Sequence, residues 1–294
     1  MHTPVLQKEI LEILKPEPNQ NFIDATFGFG GHSQDILKKI GPGGKVLGIE
    51  IDPLSIKTFK ETNSFSHDSL ERLILVNDSY INIDNLIKKN NFQDAKGIIF
   101  DLGLSSWHLD ESKRGFSFKR DEPLDMRFNP DRNQLTAFEI VNYWKEEELE
   151  KIFKDYGQEQ FARIIAKKIV QLRAVKPIRT TLELAQLILD NVPGWYKRRK
   201  IHPATKIFQS LRIATNNELE TVKQGIEKAV NTAPPKTIIA VISFHSLEDK
   251  IVKTIFKEQK KGIALFKKPI TASIAEINQN PRSRSAKLRA IQII

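Results

Sequence analysis

NFIDATFGFGGHSQDILKKIGPGGKVLGIEID, residues 21–52, carries the reading that decides the fold. It opens with a short apolar run, residues 21–27, that ends in glycines, so a buried strand followed by a glycine turn is expected. Ser33 to Ile40 is helical in pattern and is closed by the turn Gly41-Pro42-Gly43-Gly44. Residues 45–52 read as a second strand. The same alternation continues: a helix from about Pro53, a strand over 72–78, a helix over roughly 82–90 with Ile83, Leu86 and Ile87 on one face, and a strand over 97–106. Strands interleaved with helices at this spacing imply a parallel sheet with helices on both faces.

Downstream the pattern changes twice. Residues 107–133 are loop-like, rich in Gly, Pro, Asp and Arg, and residues 136–191 are helical. Phe161, Ile164, Ile165, Lys168 and Ile169 have the i, i+3, i+4 spacing of an amphipathic helix. His202-Pro203 reads as a helix start, with that helix running to about Ile213. Asn216 or Asn217 is expected to cap the next helix, whose buried stripe is Leu219, Val222, Ile226 and Val230. A fifth buried strand (237–246), a helix and a terminal strand (287–294) close the chain, and 258–286 reads as an extended surface segment. The expected fold class is therefore α/β, with segment 1–106 the first part of a sheet domain, 107–201 an inserted loop and helical domain, and 202–294 the second part of the sheet domain.

Composition narrows the function. The 294 residues are 40% hydrophobic, enough for a packed core. Cysteine is absent, which excludes disulfides, thiolate zinc sites and cysteine nucleophiles. Six scattered histidines show no metal-ligand spacing, so no metal is expected. No apolar run approaches the ~20 residues that span a bilayer, and MHTPVLQKEILEIL at the N-terminus lacks the pattern of a signal peptide, so a cytoplasmic protein without a membrane partner is expected. Net charge is +10, from 46 Lys+Arg against 36 Asp+Glu, which favours a polyanionic partner.

The glycine turn Asp24-Ala25-Thr26-Phe27-Gly28-Phe29-Gly30-Gly31-His32-Ser33 lets backbone approach a ligand closely, and Glu50 stands 22 residues after Gly28, where an acidic side chain can accept from ribose hydroxyls. A nucleoside-containing cofactor follows. A dinucleotide fingerprint wants a third glycine where Ser33 stands, and a pyrophosphate is repelled by Asp24, Glu50, Asp52, Asp78 and Asp101, nearly all at strand ends. S-adenosylmethionine, with a sulfonium, an ammonium, a ribose and no phosphate, suits that acidic ring. The same aspartates also read as ordinary helix caps and turn formers.

Seven blocks resemble, in order, those of one family: ATFGFGGHS (25–33), DLGLSS (101–106), RGFSF (114–118), PLDMRF (123–128), HPATKIFQSLRI (202–213), ISFHSLEDKIVK (242–253) and NPRSRSAKLRA (280–290). The family is RsmH, also called MraW, bacterial methyltransferases acting on N4 of a cytidine in the decoding region of 16S small-subunit ribosomal RNA. The resemblance implies a class I S-adenosylmethionine-dependent methyltransferase (Rossmann-like) sheet with an inserted all-helical domain. It implies cofactor contacts at Gly30, Gly31, His32, Glu50 (where Asp is commoner in the family), Tyr80 beside the adenine, Asp101, and His108 (where many members carry Gln). It also implies action on the small ribosomal subunit, and a homodimer is compatible with it.

The amine of cytosine is a poor nucleophile, and an acceptor for its protons helps it, so Asp101 is the catalytic candidate. DNA amino-methyltransferases carry Asp/Asn-Pro-Pro-aromatic after this strand, whereas this chain has Asp101-Leu102-Gly103-Leu104. His245, beside Ser243 and Ser246 at the end of the fifth strand, is a second candidate that reads equally as a structural histidine. A Ser-His-Asp hydrolase built on His245 and Asp249 lacks the Gly-x-Ser-x-Gly elbow. Lys113-Arg114, Arg127, Lys197-Arg198-Arg199-Lys200, Arg282, Arg284, Lys287 and Arg289 are candidate RNA contacts, with Trp195 and Tyr196 as base-stacking residues. Alternatives at this stage are a class I methyltransferase of a small molecule or protein, a non-enzymatic RNA-binding module, and an NAD-dependent dehydrogenase, the last disfavoured by Ser33 and the acidic ring.

Overall fold

The computed structural model describes residues 4–294; Met1–Thr3, the start of the segment read for a signal peptide, lie outside the described residues. The strands are β1 (Phe22–Asp24), β2 (Val46–Glu50), β3 (Leu73–Asn77), β4 (Gly97–Asp101), β5 (Ile238–Ser243), β6 (Gly262–Ala264), β7 (Ile270–Thr271) and β8 (Lys287–Ile293). They form one sheet in the order β3-β2-β1-β4-β5-β8-β6, with β7 also on β8. β3, β2, β1, β4 and β5 pair in parallel, and β8 runs antiparallel to β5, β6 and β7.

Why these strands lie in the middle is visible in their side chains. Successive residues on a strand point to opposite faces. Ile23, Leu47, Ile49, Ile98, Phe100, Ile239 and Val241 pack on one face against Ile83, Leu86, Val222, Ile226 and Val252 of three helices. Phe22, Val46, Ile99, Ala240 and Ile242 pack on the other face against Ile10, Leu14, Ile36, Leu37 and Ile40 of two more. Both faces are covered, as a parallel sheet requires. Segment 258–286, read from sequence as extended surface chain, holds β6, β7, the helix Ile274–Gln279 and a short 3-10 turn. Strands of three and two residues are too short to show a period of two.

Contacts divide the chain into two compact units, Met1–Gly103 with Leu219–Ile294, and Leu104–Glu218. The first is the sheet unit. The second is helical, with Thr136 and Thr180 each closing a reciprocal cap with the glutamate three residues on. It extends past residue 201 to take in the helix Ala204–Asn216, whose Ala204, Ile207, Phe208 and Leu211 join the helical core. His202-Pro203 thus marks a helix start without marking the end of the inserted unit.

One local expectation is corrected. In the helix Ala162–Arg173 the buried stripe is Ala162, Ile165, Ala166 and Ile169, while Ile164 is exposed. The alanines supply the close-packing face, which turns Ile164 outward. Asn217, at φ 48°, ends the helix Ala204–Asn216 and stands directly before the helix Glu218–Thr232, while Asn216 accepts from the Phe128 N–H and donates to the Met126 carbonyl. The 107–133 loop is ordered by buried polar groups: Arg114 donates to the carbonyls of Arg127 and Phe128, and Glu122 accepts from the Gly115 N–H. It also contains a helix, Ser106–Asp110, that the loop-like composition hid.

Candidate active site

The chain runs outward from β1 to β2 to β3, then returns to lay β4 on the other side of β1. Strand order therefore reverses between β1 and β4, and in open α/β sheets ligands bind outside the carboxyl ends of the strands at such a point. β1 ends in Asp24, β2 in Glu50 and β4 in Asp101, while Asp78 follows β3. The sheet order thus sets four of the sequence-predicted acids side by side along one edge of the sheet unit.

Each is held by the local chain. Asp24 is buried and accepts from the Ser33 hydroxyl at 2.7 Å and from the Thr26 N–H at 3.2 Å. Burial raises its pKa. Glu50, also buried, accepts from the Gly28 N–H through Oε2 and from the Asp52 N–H through Oε1, both at 2.8 Å. Burial, with the charge of Asp52 adding to it, pushes its pKa up to about 7 against the opposing pull of those N–H donors. Asp52 caps the helix Pro53–Thr62 by accepting from the Leu54 N–H, and Asp78 accepts from the Asn82 amide, so these two also do the ordinary work of caps and turns.

Gly28 and Gly30 have φ of 55° and 71°, a left-handed backbone that only glycine adopts at little cost, and Gly30 leads into the helix Gly31–Ile40. That helix carries His32, buried, with Nε2 3.7 Å from Asp101 Oδ2, an ion-pair distance too long for a hydrogen bond. Burial works against charge on His32, but Asp101 and then Asp24 outweigh it and raise its pKa. His32 Nε2 and Asp101 Oδ1 are both buried with no hydrogen-bond partner among the described residues. A buried polar atom without a hydrogen-bond partner is costly, and these two stand together at the β1–β4 reversal.

Sequence reasoning missed two residues here. Thr26 Oγ1 accepts from the Asp101 N–H at 2.6 Å, so a hydroxyl continues the β1–β4 ladder where the main chain of β1 turns away. Ser33, read only as a missing glycine, anchors Asp24. Nothing in the residue pattern signals either partnership, since both depend on register. Tyr80 opens the 3-10 turn after β3, half-buried and edge-on to Phe100 at 5.5 Å, with Gly225 packed against its ring.

The profile of the MraW methylase family matches residues 1–294. The chain belongs to the MraW methylase family. Ribosomal RNA small subunit methyltransferase H of Persephonella marina is 46% identical over 297 residues, covering 100% of this chain and 99% of that protein. The protein of that name from Syntrophotalea carbinolica is 40% identical over 310 residues, with 99% and 97% covered. A solved rRNA methylase from Streptococcus thermophilus superposes with a TM-score of 0.46 at 10% identity, covering 100% of this chain and 99% of that one.

Other residues that the MraW resemblance or the charge pattern singled out fall in varied settings. His108, on the helix Ser106–Asp110 of the helical unit, has Nδ1 2.7 Å from the Ser105 hydroxyl and packs edge-on against Trp107, Phe116 and Phe128. His245 caps the helix Ser246–Glu258: Nδ1 accepts from the Glu248 N–H, Glu248 accepts from the His245 N–H, and Nε2 lies 3.3 Å from Glu248 Oε1. Its ring is thus held within its own helix cap. Ser243 donates to the Lys287 carbonyl. Arg114 is buried, Arg127 is paired with Asp125, and Lys287 and Arg289 both hold Asp249, so these cations of the predicted RNA-binding set serve the fold. Tyr196 is buried and donates to Glu159 at 2.6 Å, which removes it as a stacking surface, whereas Trp195 and Lys197 to Lys200 are exposed. No described helix is long and apolar enough to cross a membrane.

Proposed function

We propose that this chain transfers a methyl group from S-adenosylmethionine to N4 of a cytidine in the decoding region of small-subunit ribosomal RNA. The observation that carries the reading is the reversal of strand order between β1 and β4, where Asp101 Oδ1 and His32 Nε2 are buried without a hydrogen-bond partner among the described residues, on an edge of buried carboxylates. Relatives at 40–46% identity bear the name of an rRNA methyltransferase, which supports the substrate.

The residues present fit S-adenosylmethionine. A carboxylate oxygen has about two acceptor positions, so Glu50 keeps one on each oxygen after bonding the Gly28 and Asp52 N–H groups, and these suit a pair of ribose hydroxyls. Gly30, Gly31 and His32 bring main chain close to the ligand, Asp24 and Asp101 answer its positive charges, and Tyr80 would flank the adenine. Burial raises the pKa of both Asp24 and Glu50, and a sulfonium and an ammonium nearby would favour their charged forms.

Bound there, S-adenosylmethionine supplies an electrophilic methyl carbon on a sulfonium. The chain's part is positioning and proton handling. A cytidine must leave its stack to present its amine. The new N–C bond would form as the methyl–sulfur bond breaks and its electron pair stays on the sulfur, which leaves as a neutral thioether; the amine must then lose one proton, and Asp101 Oδ1 is the acceptor we assign. The Thr26 hydroxyl fixes the Asp101 main chain, and His32 stands behind Oδ2, so the carboxylate is aimed before substrate arrives. His245 is left a capping role.

Mass spectrometry of small-subunit rRNA from a strain lacking the gene is the test. One N4-methylcytidine should disappear, and return with the wild-type gene but not with Asp101→Asn. A mark that persists in the deletion strain would send the activity to another acceptor, a small molecule or protein, on the same cofactor site. The rRNA substrate assigns the protein to the cytoplasm and to the small ribosomal subunit.

A further inference from the structure

We infer that Trp195 of the helical unit is a stacking platform for a base of single-stranded RNA, with Lys197, Arg198 and Lys200 as its phosphate contacts. The inference deepens the rRNA reading and rests on it for the choice of partner. Trp195 lies on the short helix Gly194–Lys197 and is 49% exposed, an unusual position for the largest apolar side chain. It is nevertheless held. The Arg199 guanidinium sits 5.0 Å from the indole centroid and 4.9 Å from the Tyr196 ring. The Phe161 ring lies 6.0 Å away, and Tyr196 meets the indole edge-on at 5.6 Å.

One buried carboxylate fixes both supports. Glu159 Oε2 accepts from the Tyr196 hydroxyl at 2.6 Å, and Glu159 Oε1 accepts from the Phe161 N–H at 2.9 Å. Burial first, and Glu159 next, raise the Tyr196 pKa, so the phenol stays a donor to that carboxylate. The indole is therefore presented with little rotamer freedom left to lose on binding.

Lys197, Arg198, Arg199 and Lys200 follow it, all exposed and none ion-paired among the described residues. Elsewhere in this molecule arginines predicted as RNA contacts are spent on carbonyls and carboxylates. A rigid exposed indole beside consecutive unpaired cations fits a polyanion that also has flat π-faces. Phosphates meet the cations and a base meets the indole. An acidic peptide would satisfy the cations and leave the indole without a planar partner.

The test titrates the full chain with a single-stranded RNA oligonucleotide and follows tryptophan fluorescence, Trp195 being the exposed one of the three tryptophans. Trp195→Ala should weaken binding roughly 5- to 150-fold and abolish most of the quench, while Trp195→Phe stays within about threefold of wild type. Cofactor affinity by calorimetry should not move in either variant. Arg198→Ala with Lys200→Ala should lower the slope of log K against log salt by about 1.4, the loss expected for two single-strand phosphate contacts. RNA affinity unchanged in Trp195→Ala overturns the inference, as does polyglutamate displacing the oligonucleotide at equal affinity. Wild type that binds RNA through Trp195 yet leaves small subunits unmethylated overturns the substrate reading and leaves the platform standing.

Discussion

The carboxyl edge of the sheet unit and the Trp195–Lys200 segment of the helical unit carry opposite charge in opposite ways. The edge buries its acids: Asp24 and Glu50 are almost fully enclosed, their pKa values raised by desolvation, their oxygens partly tied to main-chain donors. The segment exposes its bases, and among the described residues only Arg199 is engaged, against the rings of Trp195 and Tyr196. A small cationic ligand has few contacts to offer, so each must be made in a dry, low-dielectric place where charge counts for more, at a standing cost to the empty protein. A polyanion brings many weak contacts, so its partners can stay solvated and cost the fold nothing. The two regions differ in the burial of their charged side chains as much as in the sign of the charge.

The sharpest way to break that contrast is Glu50→Gln. The amide nitrogen must then face the Gly28 N–H or the Asp52 N–H, donor against donor, and the charge is gone. We expect S-adenosylmethionine to bind about 100-fold more weakly by calorimetry, with RNA affinity unaltered. Equal cofactor affinity would reduce the acidic edge to a set of turns and caps.

Next in size is Arg114→Ala, which should behave as a core mutation although sequence grouped it with the RNA contacts. Its guanidinium satisfies two carbonyls and stacks near Trp107 and Phe116. Loss of those charge-assisted bonds should cost roughly 3 kcal/mol in denaturant unfolding. A variant as stable as wild type but poor in RNA binding would move Arg114 back to the surface set.

These two variants also show what was legible in the sequence. Strand-terminal acids could be found because a parallel sheet gathers the carboxyl ends of its strands, so Asp24, Glu50 and Asp101 come together by topology alone. The strand-helix alternation gave the succession of β1 to β5 along the chain, and the glycine turn marked where β1 hands over to the helix Gly31–Ile40. The roles of Arg114 and Tyr196 were hidden because burial of a polar side chain depends on partners outside its own turn of chain: Glu159 for Tyr196, the Arg127 and Phe128 carbonyls for Arg114. Thr26 was hidden for the same reason, since its hydroxyl matters only in the β1–β4 register. Ile164 faced outward because alanines, which carry no strong hydrophobic signal, took the packing face.

The acidic edge should also give the protein a pH dependence that the exposed bases do not. Glu50 titrates near 7 in the fold and near 4.5 unfolded, so the folded state holds the proton more tightly. Its stabilising contribution is full below about pH 4.5 and is lost as pH rises through about 7. Asp24 and His32, both with raised pKa values, act in the same direction. The protein without cofactor should therefore lose on the order of 2 kcal/mol between pH 5 and 7.5, while cofactor affinity rises over the same window as Glu50 ionises to accept ribose hydroxyls. Glu50→Gln should flatten both curves. Stability that rises across this window would mean the acids are paired and the edge is not waiting for a cation.

The smallest effect is the most discriminating between the two regions. Lys200→Ala removes one exposed, unpaired cation. It should leave stability within about 0.5 kcal/mol, since the side chain is exposed. It should lower RNA affinity uniformly across sequences and reduce the salt slope by about 0.7, one single-strand phosphate. The same substitution at Arg289, whose guanidinium holds Asp249, should do the reverse, costing stability and leaving the salt slope alone. If both variants change the slope equally, burial and pairing do not separate structural from binding cations in this protein, and the contrast drawn from the acidic edge fails with them.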